Sequence, residues 1–559
     1  MNAPDRHIER SRFYFLAVMS GLLLGLSFPP FPLGLFAWVG LVPLLFVLNA
    51  FHRPRGTFRF MYVALLVFHV ITVNWTGDYV QAKDAYMMIA GAATMILHPL
   101  FYFLPLGGYV VLRRHLGEPV ALTALPFLWV GYEYSHSLTE WSFPWLTIGN
   151  SQSYDIARIQ FIEWTGVFGI SFWVLVLNVL AYLLVRALLE RRPVRSRAVM
   201  LPAGLLLLLV VLPSVHGWYM LRTDRGGGTM PRSDGTPRDS ITVGIVQANI
   251  DPWDKWTQNG YATVDLYMSM TRALVESTAA RKPALVLWPE TAFPFDVLNP
   301  ANHDLLASLQ HETSEWGTSV LTGLPHRVTY ADSLSAPRSA RRDKVTQQRY
   351  DWFNAATLIQ SGGDAPAWYG KMKMVPFAER VPYAEAFTFL DFLRWDVGIG
   401  GWQIGPDTTL FVEQRTGARF NTLICYESTY PGFVATFVRK GAEFITLITI
   451  DSWWDHMSGA YQHQQMAIFR AIENRRWVVR CAVGGISCFI DPSGRVYDAT
   501  ELFTKRTLSR QIERRTELSF YTRHGDWLGD ISLWVALILV AAAMGQAFLK
   551  KQRRQLWQT

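Results

Sequence analysis

Three ionisable residues sit at or beside the ends of short apolar runs. Glu290 follows Leu285-Val286-Leu287-Trp288 and a proline. Cys425 follows Thr422-Leu423-Ile424. Lys371 lies in Trp368-Tyr369-Gly370-Lys371, ahead of Val375-Pro376-Phe377. Open α/β sheets place their sites at strand ends. A cysteine thiolate attacks carbonyl carbon well, but it needs a base to take its proton and a positive neighbour. A carboxylate at Glu290 would take that proton, and an ammonium at Lys371 would stabilise the thiolate and a developing oxyanion. Taken singly, each residue also has an ordinary reading: a small buried hydrophobe, a glutamate at a helix N-terminus, a solvated loop lysine. Composition does not separate these readings. Cys481 and Cys488 lie within apolar strand patterns and read as core.

The elements that must position these residues alternate between strand and helix patterns from residue 240 to about 529. Buried strands are predicted at 241–247, 284–288, 319–323, 422–424, 444–450, 478–482 and 487–490. Helices are predicted at 261–280, 302–316 and 460–473. Such alternation implies a largely parallel or mixed sheet covered by helices. Asp491-Pro492-Ser493-Gly494-Arg495 reads as a turn. There is no internal repeat, P-loop or Gly-rich dinucleotide fingerprint. Three cysteines in 559 residues exclude a disulfide scaffold and a Cys-rich metal cluster. The histidines are scattered, and the one close pair near the candidate site, His456 and His463, reads as structural. No metal and no cofactor is expected.

The rest of the chain belongs to a bilayer. Only 17% of residues are charged, 50% are hydrophobic and the mean hydropathy is +0.14. A soluble domain carries about 25% charged residues, so a disordered, fibrous or wholly soluble protein is excluded. Uncharged windows run over 13–28 and 32–51, split by Phe28-Pro29-Pro30-Phe31-Pro32, and over 60–77, 85–112, 164–185, 198–221 and 531–549. Each approaches or exceeds the ~18–20 residues that cross the hydrocarbon core. A shorter window, 119–132, ends at Glu133 and brings the expected total to about eight spans. The first window lacks a small-residue cleavage site and another span follows at once, so it reads as a membrane helix rather than a signal peptide. Short loops on one side carry seventeen Lys and Arg residues, from Arg6 to Arg554. Those on the other carry Lys83 and Arg158. This asymmetry places both termini in the cytoplasm and residues 240–529 outside it. It also accounts for the formal charge of +8 without nucleic acid, for which no motif is present. The expected organisation is a seven-span membrane domain over 1–222, a Gly/Pro/Ser-rich linker over 223–239, a catalytic domain over 240–529, and a last span with a basic tail over 530–559.

Leu287-Trp288-Pro289-Glu290-Thr291-Ala292, the stretch from Lys371 to Glu379, and Cys425-Tyr426-Glu427 resemble the three active-site motifs of the nitrilase (carbon–nitrogen hydrolase) superfamily. With spans on both sides, and with Ser27-Phe28-Pro29-Pro30, Phe143-Pro144-Trp145-Leu146 and Val246-Gln247-Ala248-Asn249-Ile250, the chain resembles the apolipoprotein N-acyltransferase family over nearly its whole length. The resemblance implies a nitrilase-like α-β-β-α sandwich carried on a multi-pass α-helical membrane domain in the bacterial inner membrane. It implies acyl transfer from a membrane phospholipid, through a cysteine thioester, to the N-terminal amine of a diacylglyceryl-cysteine apolipoprotein. It assigns Glu290 as general base, Lys371 as oxyanion stabiliser and Cys425 as nucleophile. Glu379, Tyr426 and Glu427 match supporting positions, Trp256 a tryptophan on a loop near the site, and Phe143 and Trp145 a membrane-side segment.

Departures from the family pattern are Ile450 in place of an asparagine, Val483-Gly484 where the family tends to carry asparagine near a glycine, and Ala378 and Arg380 flanking Glu379. A basic stretch, 338–349, looks additional and reads as a solvated loop. Loops with Trp253, Trp256, Trp395 and Trp402 read either as interfacial aromatics or as core. Two other readings remain open: a membrane-tethered amidase or hydrolase using water as acceptor, and a non-catalytic envelope scaffold.

Overall fold

The structure, a computed structural model, describes residues 3–51, 56–81, 83–223, 239–256, 259–332, 336–362, 365–386 and 401–556. Most of the expected linker and Trp395 lie outside the described residues. The chain divides into two compact units. One comprises Met1–Thr139, Phe143–Tyr219 and Asp526–Thr559. The other comprises Glu140–Ser142 and Met220–Gly525.

The first unit is helical. Five stretches are long and apolar enough to cross a membrane: Phe58–Gly77, Ala85–Leu116, Val167–Leu189, Arg197–Arg222 and Trp527–Arg553. They coincide with five of the eight expected spans. The other three expected spans are also helical but fall short of that measure. Ala3–Leu26 begins with a run of charged residues, including Arg10 and Arg12. Gly34–Ala50 is a shorter apolar helix. Glu118–Ser137 carries Glu118, Glu133 and an internal Pro126. The helix Glu118–Ser137 packs against both Phe103–Leu116 and Trp527–Leu556, and Ala3–Leu26 packs along Phe58–Val73.

The second unit is an α/β sandwich. Its strands are β1 (Ser240–Gln247), β2 (Leu285–Leu287), β3 (Ser319–Thr329), β4 (Arg341–Arg342), β5 (Arg349–Ile359), β6 (Trp368–Gly370), β7 (Phe411–Val412), β8 (Arg419–Ile424), β9 (Phe444–Thr449), β10 (Val478–Ala482), β11 (Cys488–Ile490), β12 (Val496–Tyr497) and β13 (Arg506–Glu513). One sheet has the order β13-β1-β2-β3-β5-β4, with β6 also paired to β5. The second has the order β12-β11-β10-β9-β8-β7. Each has a parallel heart, β1-β2-β3 and β8-β9-β10, with antiparallel strands at the margins. Parallel strands buried on both faces read as continuous apolar runs, which is why β2, β9 and β10 were visible in the sequence.

The sheets meet face to face. The Cys481 thiol reaches the carbonyls of Val246 at 3.6 Å and Leu287 at 3.4 Å, and Ser487 Oγ donates to Gln247 Oε1 at 2.5 Å. The helix Gly260–Ser277 covers the first sheet with Val264, Tyr267, Thr271 and Leu274, a helical spacing of three and four. Tyr267 stacks on Trp288, whose indole N–H donates to Thr271 Oγ1 at 2.9 Å. The helix Ser458–Asn474 covers the second sheet and is buried almost all round. Cys481 and Cys488 are buried, as expected for core residues.

The basic stretch at 338–349 is not simply a loop. Arg341 and Arg342 form β4, paired with Tyr350 and Arg349 of β5, and Arg327 donates to Asp343 at 2.9 Å. Only these two residues pair through their backbone amides; 344–348 stay exposed in the turn between β4 and β5, as a solvated loop would.

Candidate active site

Glu290, Lys371 and Cys425 each follow a strand by one to three residues, in a single compact unit. Glu290 sits in a tight turn after β2. The next residue, Thr291, has φ +45°, and Gly323 of β3 lies so close that a Cβ there would stand 2.4 Å from the Thr291 nitrogen and 2.8 Å from Glu290 Cα. Gly323 is therefore needed for the turn to lie on β3, and its N–H donates to Pro289 O at 3.2 Å. Lys371 leaves β6 with its N–H bonded to Asn354 O at 2.8 Å. Cys425 follows β8 directly with its backbone in the left-handed region, φ +52°, and opens the 3₁₀ turn Cys425–Thr429.

Lys371 is fully buried. Its Nζ donates to Glu379 Oε1 at 2.7 Å and lies 3.7 Å from Glu290 Oε1. Glu290 Oε1 accepts from Asn354 Nδ2 at 2.7 Å, and Oε2 from the backbone N–H of Ile450 at 3.1 Å. Asn354 Nδ2 also approaches Glu379 Oε1 at 3.4 Å, and Glu379 Oε2 accepts the Val375 N–H at 2.8 Å. Two carboxylates thus share one ammonium and one amide, and the thiol of Cys425 lies within the electrostatic reach of all three charges.

The electrostatics follow from burial and these charges. Burial raises Glu290, and Glu379 raises it further, against the pull of Lys371. Burial works to lower Lys371, but the Glu379 and Glu290 carboxylates outweigh it and hold the ammonium above its ordinary range. Burial and the Glu290 charge push the Cys425 thiol up, with Lys371 opposing. The resting sulfur is therefore a thiol beside a carboxylate whose own proton affinity is raised. That pairing suits proton transfer at the moment of attack.

Glu427 joins the strands that deliver lysine and cysteine. Its Oε1 accepts from Tyr369 Oη at 2.6 Å and from the Met372 and Lys373 N–H groups at 2.6 and 3.3 Å, while Oε2 accepts from Ile424 N–H at 2.8 Å. Burial raises its carboxyl to about 7. Tyr426 Oη donates to Ser142 O at 3.0 Å, and Ser142 Oγ meets Tyr430 Oη at 2.6 Å.

Beneath the nucleophile lies a second buried network. His463 Nε2 meets Cys425 O at 3.1 Å and Ser428 Oγ at 2.8 Å, and its Nδ1 meets Asp451 Oδ1 at 2.9 Å. Arg480 donates to Asp451 Oδ2 at 2.7 Å. Thr449 donates to Asp451 Oδ1 at 3.0 Å. Burial works against the Asp451 charge, but Arg480 and His463 hold the carboxyl down at about 2.

The remaining expected residues fall differently. Trp256 is exposed, with the Lys255 ammonium 5.3 Å from its ring. Phe143 and Trp145 belong to the helical unit, where their rings stack 6.3 Å apart. Trp402 is buried rather than interfacial; its N–H donates to Glu379 O and its carbonyl accepts from Arg380. Trp253 packs edge-on against Trp453 at 5.1 Å. His456 is exposed and packs against Phe503. Ile450 in place of an asparagine leaves the Glu290 contact intact, since that contact is made by main chain. Asn354, Thr449, Asp451 and Lys255 were not singled out from sequence. Asn354 carried one signal, a lone amide inside the apolar second half of β5. Among the described residues, no group of three or more His, Cys, Asp or Glu side chains is arranged to hold a metal ion.

Residues 242–518, which hold the two-sheet α/β sandwich with Glu290, Lys371 and Cys425 at its strand ends, match the family model described as carbon-nitrogen hydrolase. Residues 20–180 match the model described as the apolipoprotein N-acyltransferase N-terminal domain. The chain is 35% identical over 543 residues to an apolipoprotein N-acyltransferase of Chlorobaculum tepidum, covering 95% of this chain and 97% of that one. It is 29% identical over 554 residues to an apolipoprotein N-acyltransferase of Geobacter metallireducens, covering 99% and 98%. A solved carbon-nitrogen hydrolase from Helicobacter pylori is similar over 52% of this chain and 93% of its own, with 14% identity and a TM-score of 0.35. The chain belongs to the apolipoprotein N-acyltransferase family.

Proposed function

We propose that this protein moves an acyl chain from a membrane phospholipid to the N-terminal amine of the diacylglyceryl-cysteine of apolipoproteins, through a thioester on Cys425. The observation that carries the reading is the buried Lys371 ammonium, held between Glu379 and Glu290 at the strand ends where Cys425 turns, in a chain that matches the family over 95% of its length.

In the first half-reaction the Glu290 carboxylate takes the thiol proton as sulfur bonds to the ester carbonyl carbon. Negative charge develops on the carbonyl oxygen and is stabilised by Lys371. The C–O bond to glycerol then breaks, and the leaving alkoxide recovers the proton from Glu290. In the second, the α-amine attacks the thioester carbon, Glu290 takes the amine proton, the C–S bond breaks and sulfur recovers that proton. Glu379 fixes the ammonium. Glu427 fixes the lysine loop on the nucleophile turn, with Tyr426 beside it. Trp256, Phe143 and Trp145 are assigned to substrate contact.

The organisation that goes with this reading is a membrane domain over 1–222 and 530–559, and a catalytic domain over 240–529 joined by the 223–239 linker. The Lys/Arg asymmetry of the short loops supports a bacterial inner-membrane protein with both termini cytoplasmic and the catalytic domain periplasmic.

The test uses detergent-solubilised protein and a fluorescent phospholipid. A hydroxylamine-labile acyl-enzyme is expected, absent in Cys425→Ala, and mass spectrometry of a diacylglyceryl lipopeptide should show one added acyl chain. Labelling that persists in Cys425→Ala overturns the assignment. Release of free fatty acid with no acylated peptide replaces it with hydrolase activity.

A further inference from the structure

Glu290 has a second cationic neighbour that the acyl-transfer scheme leaves unused. Lys255 is 2% exposed, and its ammonium donates to Thr291 Oγ1 and to the backbone carbonyl of Glu290 at 3.4 Å. It reaches that turn from the 251–256 segment, where its N–H bonds to Asp251 O at 3.1 Å and the Trp256 ring lies 5.3 Å from its Nζ. Among the described residues, no carboxylate lies within ion-pair distance of this ammonium. Its contacts are a hydroxyl, a carbonyl and a ring. A buried cation held by neutral groups is costly unless a nearby negative charge favours it.

The Glu290 carboxylate supplies that charge. Around Glu290 the charges are unevenly shared. Lys371 sits 2.7 Å from Glu379 and 3.7 Å from Glu290, so its ammonium is shared between two carboxylates while remaining the stronger of the two cations acting on Glu290. Glu379 itself repels charge on Glu290, and a thiolate at Cys425 would do the same. The turn also needs holding. Thr291 is in the left-handed region, and Lys255 bonds to groups on both sides of the Glu290–Thr291 peptide link.

We infer that Lys255 is a positioning residue for the general base: it clamps the Glu290–Thr291 turn, and its charge adds to that of Lys371 in favouring the Glu290 carboxylate beside Glu379. The inference rests on the acyl-transfer reading and deepens it. It also couples the Trp256-bearing segment to the base, because displacing that segment withdraws the ammonium from Glu290.

The pH dependence has a definite sign. The groups facing Glu290 are Lys371, Glu379, Lys255 and the Cys425 thiol, and the acidic neighbours of Lys255 on its own segment are Asp251 and Asp254. Burial brings Lys255 down to about 7, with Glu290 working against that fall. Its charge is therefore present below neutral pH, where Glu290 most needs it, and fades above. Removing the charge raises Glu290 further, so the acid limb of the acylation rate moves to higher pH while the alkaline side stays in place.

The experiment is the pre-steady-state rate of acyl-enzyme formation from a fluorescent phospholipid between pH 5 and 9, on the full-length protein in detergent. Lys255→Met is expected to move the acid limb up by a few tenths of a pH unit, equal to about a twofold loss on the acid side, with recovery at higher pH. Lys255→Gln keeps a donor for Thr291 without the charge and should shift the limb equally, which preserves the test if the Met variant misfolds. Thr291→Val loosens the clamp but leaves the charge, so its rate should fall at every pH with the limb unmoved. A uniform loss in Lys255→Met and Lys255→Gln, with the limb unmoved, overturns the inference. Absence of any acyl-enzyme in the wild-type protein overturns the acyl-transfer reading instead.

Discussion

Glu379→Gln isolates the charge that holds the lysine. Glu379 Oε1 takes the Lys371 ammonium at 2.7 Å and Oε2 takes the Val375 N–H at 2.8 Å. A glutamine can offer its oxygen to only one of them. If the oxygen stays with Lys371, its NH₂ faces the Val375 N–H, donor against donor. Lys371 keeps its charge, so its bond to a glutamine oxygen remains charge-assisted; exchanging an ion pair for that ion–dipole bond costs about 1–2 kcal/mol at Lys371. At ~1.4 kcal/mol per decade that is roughly a five- to thirtyfold loss of acylation rate, and the orphaned Val375 N–H can only add to it. A second readout runs the other way. Glu379 is one of the charges that raise Glu290, so its neutralisation lowers Glu290 and moves the acid limb of the rate to lower pH, opposite to the shift expected for Lys255→Met. The assay is the same pre-steady-state acylation, plateau and limb measured together. A plateau within twofold of wild type, or a limb that moves to higher pH, refutes the account of how the lysine is held.

Two further expectations concern the frame. Gly323→Ala places a methyl 2.4 Å from the Thr291 nitrogen, so the Glu290 turn must lift from β3; a loss of about 1–3 kcal/mol should appear as a lower midpoint in a detergent thermal melt, with acylation falling further than stability. Asp451 is held at about 2 by Arg480 and His463 after overcoming burial, below the ~3.9 of an unfolded chain, so its stabilisation is complete above about pH 4 and lost as pH falls towards 2; Asp451→Asn should flatten that part of the acid-unfolding curve, and an unchanged curve would remove the buried charge from the stability account.

Much of the site was legible because chemistry and secondary structure share landmarks. Glu290 and Cys425 stand at the ends of β-branched runs, and such runs are buried strands whether or not their register is known. Lys371 was visible only through its motif, since β6 is three residues long and carries no periodic signal. Asn354 and Asp351 sit in β5, whose first half mixes Arg, Tyr, Asp and Trp. That pattern reads as surface until their partners, Glu290 for the one and Gln403 for the other, are brought in by long-range pairing. The edge strand β13, Arg-Thr-Leu-Ser-Arg-Gln-Ile-Glu, interleaves Arg506, Arg510 and Glu513 with its apolar residues and so hid from a search for apolar runs. Trp402 shows the limit from the opposite side. A tryptophan in a Gly-rich loop suggests an interface, but its main chain is tied to the Glu379 carbonyl and the Arg380 guanidinium, and its ring is buried, which no local pattern announces. The spans were legible as windows without charge, while Glu133 and Pro126 inside the helix Glu118–Ser137 blur the count.

The bend at Cys425 has a consequence for how such a protein ages in evolution. A residue with a side chain is held at φ +52° where only glycine is at ease, a conformation that costs of order 1 kcal/mol or more for other residues. Every working copy carries that cost for the sake of its sulfur. Once selection for the thioester lapses, replacement by glycine is the relaxed choice, giving a hardier and inert descendant. A cysteine kept at this corner is thus a mark of continued use, and a glycine in the same place, with the sandwich intact, is the expected trace of retirement.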